Sequence, residues 1–536
     1  MILNKILSWN KLSILGISLM LLNNISCIDY EDNVNPNEVT EEMMEVDNLK
    51  TGAFFSQMLR RVVIINDGDK LDSDYQIAQN LSHDLYSGYI AATLGSTNHN
   101  GQYNFQEQWV NATFDYAYTG IMAPWQSIHK IATEQELPEV DALATIVKVE
   151  GMHRIADTFG PIPYVNYGSS SLYDALDLVY NKFFEELDNA IEVLSNYVNG
   201  NVDAKLMSDY DCVYGGDVEK WVKFANSLKL RLAIRIANVS PAKAKEMAES
   251  AVNHELGLIE TNADNATWKY FGTISNPLFV AVRYNEEASG GDTHPAADII
   301  CYMNGYNDNR RASYFEESKW PGETYVGLRR GINLSKMKEY FINYSRVKIS
   351  SSDPVLWMNA AEVAFLRAEA TAIYGFNMKG TAADFYEQGV RLSFEQWGAT
   401  GVDSYLADES SVPALYKDPA GLNTYEKNLS AITVKWNEGA SKEEKQERII
   451  TQKWIANWPL GNEAWADYRR TGYPKLLPAT SEGNLSGGIV DSEKGARRMP
   501  YPSEEYTSNT ENVQEAVNSY LGGPDNMATD VWWARK

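Results

Sequence analysis

Apolar positions along this chain recur at steps of three and four. The clearest stripe lies in 173–194, where Leu176, Val179, Tyr180, Phe183, Phe184, Leu187, Ala190, Ile191 and Leu194 line up and Glu185, Glu186, Asp188 and Glu192 fall between them. That spacing predicts an amphipathic helix with one face in a core. Residues 218–237 repeat it through Trp221, Phe224, Ala225, Leu228, Leu232 and Ile236. Residues 354–374 predict a helix with Pro354 in its first turn, where a missing N–H is tolerated. Residues 381–397 predict another, after a turn at Lys379-Gly380. Strand-like alternation is scarce.

Helices therefore come in pairs with short turns. Ala360, Ala361, Ala364, Ala368 and Ala370 stand where a partner helix must come close. This is how tetratricopeptide-type units look, without their strict consensus. Between the helices lie long loops rich in Gly, Asn, Pro and aromatics, at 91–112, 260–295, 303–335 and 470–536. Loops of that length in a compact domain usually carry function. The pattern reads as a single helical domain over 41–536, not a string of domains.

The first residues are an address. An apolar run at 12–22 (LSILGISLMLL) follows Lys5 and Lys11. It suits the core of a signal peptide and is too short to span a bilayer, which takes about 20 apolar residues. Cys27 follows Ser26 at the end of this leader, so 1–26 reads as a lipoprotein signal peptide and Cys27 as the lipid-bearing first residue of the mature chain. Asn24 stands where such sites prefer Leu, and an ordinary secretory signal with an incidental Cys is the alternative. Residues 27–40 are polar and read as a tether. Asp29, Glu31 and Asp32 resemble the surface-export tag of some Gram-negative lipoproteins.

Composition narrows the function. Of 536 residues, 47 are Lys or Arg and 72 Asp or Glu, a net charge of −25. Nucleic-acid backbones need clustered cations, so they are excluded as partners. Catalytic signatures are missing: there is no GxSxG, HExxH, P-loop or GxGxxG after a strand. The six histidines (His83, His99, His129, His153, His254, His294) show no metal-ligand spacing. Asp67-Gly68-Asp69 and Asp72-Ser73-Asp74 offer oxygen ligands but lack the full Ca²⁺ loop pattern, and they read as a solvated acidic loop. Asp157 reads as a turn residue bonding the backbone around Gly160, and Asp467 with Arg470 as a structural ion pair. Trp221, Trp357 and Trp465 read as core residues on helices. No cofactor is expected. Cys212 and Cys301 are left open as a pair or as free thiols.

Several stretches resemble the SusD/RagB family of surface nutrient-binding lipoproteins, in its SusD-like subgroup. Residues 154–164 (RIADTFGPIPY) resemble the family's D-x-F-G-x-[IV]-P-Y turn, and 214–235 (YGGDVEKWVKFANSLKLRLAIR) its G-D-x-x-K-W segment. Asn307 to Arg310 (NDNR) stands where the family often shows N-D-P-R. The A-E-x-x-[FL]-x-x-A-E-A helix at 361–370, the E-A-W-x-D-x-R-R-T-G-x-P block ending at Pro474, RMPYP at 498–502, Trp532-Trp533 and Asn35-Pro36-Asn37 also match. The resemblance implies a mostly α fold of four tetratricopeptide-like helix pairs with long elaborated loops and little β. It also implies an outer-membrane lipoprotein facing the cell exterior. Such a protein caps a SusC-like TonB-dependent transporter, captures an oligosaccharide for it and is not an enzyme.

A sugar site needs flat rings for the C–H face of a pyranose, and amides or charged groups for its hydroxyl rim. The loops offer Tyr103, Phe105 and Trp109; Trp268, Tyr270 and Phe271; Tyr284 and Asn285; and Trp320 and Tyr325 with Asn307, Asp308 and Arg310. The 260–330 region is the expected site, because rings and side-chain amides are densest there outside predicted helices. A transporter lid or protein-interaction module handling peptides or another nutrient rather than glycan is the alternative.

Overall fold

The computed structural model describes residues 49–65, 74–93, 100–269, 274–286 and 290–535. The signal peptide, Cys27, the tether, Asn35-Pro36-Asn37, His99, most of the acidic loop at 67–74, Tyr270 and Phe271 lie outside the described residues.

The long stripe at 173–194 becomes a helix that starts three residues later and runs further. The helices used below are α1 (Leu49–Val62), α2 (Glu107–Ala117), α3 (Ala123–Glu134), α4 (Pro138–Phe159), α5 (Leu176–Gly200), α6 (Val218–Arg235), α7 (Pro241–Asn253), α8 (Pro277–Arg283), α9 (Ala297–Gly305), α10 (Ala360–Glu369), α11 (Ala382–Gln396), α12 (Lys442–Ala456) and α13 (Gly461–Thr471). Their starts are written in polar residues. Asp217 accepts from Lys220 N (3.2 Å), Asn359 from Glu362 N (2.7 Å), Thr381 from Asp384 N (3.1 Å) and Ser441 from Glu444 N (3.2 Å). Each satisfies a first-turn N–H that the helix cannot.

One expected helix is corrected. Residues 355–358 are a strand, and the helix begins only at Ala360. Val355, Leu356, Trp357 and Met358 are all buried, and a short β-prone apolar run fits a covered strand. Asn359 and Glu362 form the true helix start. Trp357 is therefore core on a strand, while Trp221 and Trp465 are core on helices as expected.

Strands are few. β1 (Ile90–Ala92) pairs antiparallel with β3 (Thr293–Pro295), β2 (Ala266–Trp268) with β6 (Val355–Met358), and β4 (Phe315–Glu316) with β5 (Arg346–Val347). These three ribbons pin the long loops to the helices.

Residues Thr51–Lys536 form one compact unit. Within it α4 packs on α3 and α5, α5 on α6, α6 on α7, and α10 on α11 and α12. Helices α10 and α11 meet closely, and the small residue at this contact is on α11: Gly389 approaches the Phe365 ring so nearly that an added Cβ would sit 2.8 Å from it. Helix α4 is buried on nearly all sides, including Lys148, Glu150, His153, Arg154 and Asp157. Charges on such a helix must find partners or lose their charge. Cys212 and Cys301 are free thiols, the first half-buried and the second buried. No described helix is long and apolar enough to cross a membrane.

Candidate functional site

The charged residues of α4 face a buried ionic network, not a reaction centre. Arg231 bonds Glu362 (2.7 and 2.8 Å) and lies 3.3 Å from Glu150, which also holds Arg154 (2.7 Å). Arg235 pairs with Glu463 and lies 3.3 Å from Asp157. Lys453 reaches Asp467 (2.8 Å) and Glu463 (3.2 Å), and Arg470 reaches Glu369 (2.7 Å) and Asp467 (2.9 Å). The Asp467–Arg470 pair is thus the structural one the sequence suggests. Burial pushes the Glu463 and Asp467 carboxyls up, but Arg235 and Lys453 on the first, and Lys453 and Arg470 on the second, more than reverse it and hold both below the ordinary range. The void beside this network is about 10 Å³, room for about one water and no substrate.

Asp157 is also recast. Its carboxylate accepts from Tyr180 Oη (2.5 Å) and Trp533 Nε1 (2.7 Å) rather than from the turn backbone. Gly160 does turn the chain, at φ +90°.

The expected sugar-binding residues divide by exposure. Trp268 is 1 % exposed on β2, paired with Val355, so neither ring face is left for a ligand. Asp308 and Arg310 are fully buried and bonded to each other, with Arg310 also reaching Ser393 (2.8 Å) and Gln452 (3.3 Å). They close the C-terminal end of α9 and cannot meet a sugar. Trp109 lies on α2, half-buried against the core, and Tyr103 is buried and stacked on Tyr86.

Two of the accessible candidates lie at one end of α8. Tyr284 (36 % exposed) and Asn285 follow that helix directly, and Asn285 donates to Asp292 (3.0 Å). Gly290 lies against the Ile342 backbone. Arg283 pairs with Glu286 (2.7 Å) and Glu316 (3.0 Å), and Glu286 also holds Arg346, so this end of α8 is tied to β4 and β5. Beyond β4, the half-buried Trp320 stacks on Tyr340 (5.9 Å, 23°) and meets Tyr344 edge-on. The Trp320 indole N–H has no hydrogen-bond partner among the described residues. Tyr325 is half-buried beneath the Arg311 guanidinium, and Asn307 is exposed at φ +51°.

At the other end of α8 opens a cleft of about 710 Å³. Its walls come from the start of α8, from β2 and β6, from the end of α11 and from 458–460. Trp397 is half-buried there, braced edge-on by Tyr314 (4.5 Å), and Tyr314 in turn stacks on Trp458 (5.8 Å, 15°). Amides of Asn262, Asn265, Asn276 and Gln396 line the same space. Asn276 also caps α8, accepting from Leu278 N (2.8 Å). Gln396 Oε1 and Trp397 Nε1 are buried with no hydrogen-bond partner among the described residues. Lys269 and Lys348 are balanced by Asp353 and Glu395, so the lining carries no net charge. A concave site with aromatic walls and a few convergent polar groups is the ordinary form of a small-molecule site, and this one suits an uncharged polyhydroxylated ligand. Among the described residues no group of three or more His, Cys, Asp or Glu is placed to hold a metal ion.

Trp397 escapes a reading from sequence because it closes a strong helical pattern, which marks it as scaffold. The signal available was Gly398 directly after it, which ends the helix and leaves the ring at its mouth. Tyr340 and Tyr344 fall just beyond the loop that ended at residue 335.

Comparison with known proteins follows the same lines. The family model described as SusD-like, "Susd and RagB outer membrane lipoprotein", matches residues 31–534. A SusD homolog from Bacteroides uniformis is 74% identical, with TM-score 0.86, covering 91% of this chain and 99% of its own. A chitin-binding SusD homolog from Flavobacterium johnsoniae is 38% identical, with TM-score 0.83 and the same coverage of 91% and 99%. A susD homolog from Bacteroides thetaiotaomicron is 37% identical, with TM-score 0.81, again covering 91% and 99%. A comparison with curated proteins returned no match.

Proposed function

As this chain belongs to the SusD/RagB family of outer-membrane lipoproteins, we propose that it is a cell-surface receptor, anchored by lipid on Cys27, that captures a neutral oligosaccharide in the α8 cleft. It hands the ligand to a SusC-like TonB-dependent transporter and performs no chemistry. The observation that carries this reading is the cleft itself: about 710 Å³, walled by Trp397, rimmed with amides and free of net charge. The volume lies within the usual range for ligand sites, roughly 300–1,000 Å³. Tyr284 and Asn285 extend the binding face from the far end of α8, and Trp320, Tyr325 and Asn307 are further contacts for a longer chain.

The 38%-identical relative described as chitin-binding makes N-acetylated oligomers the first ligands to try. Calorimetry on the chain starting after Cys27, with N-acetylchitohexaose, cellohexaose and maltohexaose, tests the reading. Binding of one of them is expected, nearly independent of salt because screening acts on charges. Trp397→Ala should weaken it by about tenfold or more, roughly 1.4 kcal/mol, and Trp320→Ala by less. Binding that survives Trp397→Ala and Gln396→Ala unchanged would remove the cleft from the proposal. Failure of every neutral sugar would remove the ligand class.

A further inference from the structure

A second cleft lies elsewhere in the molecule and shares no residue with the first. It measures about 620 Å³ and is walled by the end of α2, by α3, by the loop 163–171 that follows α4, and by the short helix Glu505–Ser508. Three rings make its apolar corner. Phe114 leans on Tyr118 (4.7 Å), and Tyr118 leans on Tyr167 (5.8 Å), each pair tilted by 38°. Tyr118 is fixed by its hydroxyl, which donates to the Pro163 carbonyl (3.0 Å). Gly168, at φ +87°, lets the loop pass beneath Gln126, where any Cβ would strike the Gln126 amide.

Glu505, Asn509, Ser169 and Ser508 around this corner are bonded to the protein, and four other polar groups are not. Among the described residues the Asp115 carboxylate, the Gln126 amide and the Tyr167 hydroxyl make no hydrogen bond, and Ser170 Oγ is buried without a partner. Ser170 Oγ is the informative one, since buried polar atoms are normally bonded; Asp115 and Gln126 are exposed at the mouth of the cleft. Here a rigid aromatic corner stands beside an acceptor, an amide and two hydroxyls that only water or a ligand can satisfy. No Lys, Arg or His lines the space, and Asp115 and Glu505 do, so an anionic ligand is repelled. Burial raises the Asp115 pKa, and Glu504 and Glu505 raise it further.

We infer that this cleft is a second saccharide-binding site, taking an uncharged sugar unit against Tyr118 and Tyr167 with Asp115, Gln126 and Ser170 on its hydroxyls. The inference rests on the reading of the protein as a glycan receptor and adds a separate location to it. With two separate sites, one long glycan chain, or two, can be held at once.

The test uses the chain starting after Cys27 and the same three neutral hexaoses, with an oligogalacturonate as acidic comparator. For the sugar that binds, two equivalents are expected in the wild type and one in Trp397→Ala. Tyr167→Ala, at a half-buried position, and Gln126→Ala, at an exposed one, should each lose the other equivalent or weaken it about tenfold, and the oligogalacturonate should not occupy it. One equivalent in the wild type, with affinity unchanged in Tyr167→Ala and Gln126→Ala, overturns this site and leaves the α8 cleft standing. Binding kept in Trp397→Ala and lost in Tyr167→Ala does the reverse. Failure of all three neutral sugars overturns both.

Discussion

At the scale of single residues, Asp84 shows how burial decides behaviour. Its carboxylate accepts from Tyr75 Oη (3.2 Å) and Asn80 Nδ2 (3.3 Å), and Gly461 comes so close that a Cβ there would lie 2.0 Å from Asp84 Oδ1. Burial outweighs the bonds from Asn80, Tyr75 and Gln79 and raises its pKa from 3.8 to about 7. Between those values the folded chain keeps a proton that the unfolded chain releases. The stability this group contributes is full below its unfolded pKa and is lost as pH climbs to 7, at about 1.4 kcal/mol per unit. Asp84→Asn should flatten the fall of Tm over that window and leave the variant more stable than wild type at pH 8; parallel Tm curves would refute the assignment. Glu463 and Asp467 act oppositely, since their lowered pKa values stabilise the fold above the ordinary carboxylate range and that contribution is lost as pH falls. Residue type alone shows none of this. Trp268 and Trp320 both read as loop tryptophans, yet one is sealed into a ribbon and the other lies half-open on Tyr340. Arg310 reads as a sugar-binding group and is a fully buried clasp, because the partners that claim it, Ser393 and Gln452, are distant in the chain.

At the scale of elements, local signals carry furthest where helix faces are broad. The stripes of α5 and α6 are legible because each buries one face, so their periodicity survives. Helix α4 is harder to place because it is buried nearly all round, its charged side included, so no solvent-facing stripe marks it. The start of α10 is misjudged if Pro354 is taken as its cue, whereas Asn359 with Glu362 is the better one. Asn359→Ala should therefore cost about 1 kcal/mol in urea unfolding, and no loss at all would mean the cap is idle. The ionic network ties α4, α6, α10, α12 and α13 together, and its members are worth more in place than removed singly. Arg231→Met strands Glu362 and weakens the hold on Glu150, and should cost about 3–5 kcal/mol. A change below about 1 kcal/mol would show that Lys453 and Arg154 take over.

At the scale of the whole molecule, four of the stretches that resemble the family's motifs meet at one point and mainly build the scaffold. Arg469 Nη1 donates to the Asp157 carbonyl (2.6 Å), Arg498 Nη2 to the Phe159 carbonyl (2.8 Å), Tyr501 Oη to the Pro161 carbonyl (2.8 Å) and Trp533 Nε1 to the Asp157 carboxylate (2.7 Å). This explains why family and fold are legible from sequence while the ligand face is not. The residues of these stretches hold helices together, whereas Trp397 and Tyr167, the side chains proposed to meet a ligand, sit at a helix end and on a loop and carry no signature. Cys27→Ala should release the protein from the membrane fraction if the anchor is as proposed; retention would point to another attachment. The meeting point also closes a very long loop of chain. Trp533 and the Asp157 it bonds stand 376 residues apart, so a fragment cut short of Trp533 leaves the Asp157 carboxylate without its indole donor.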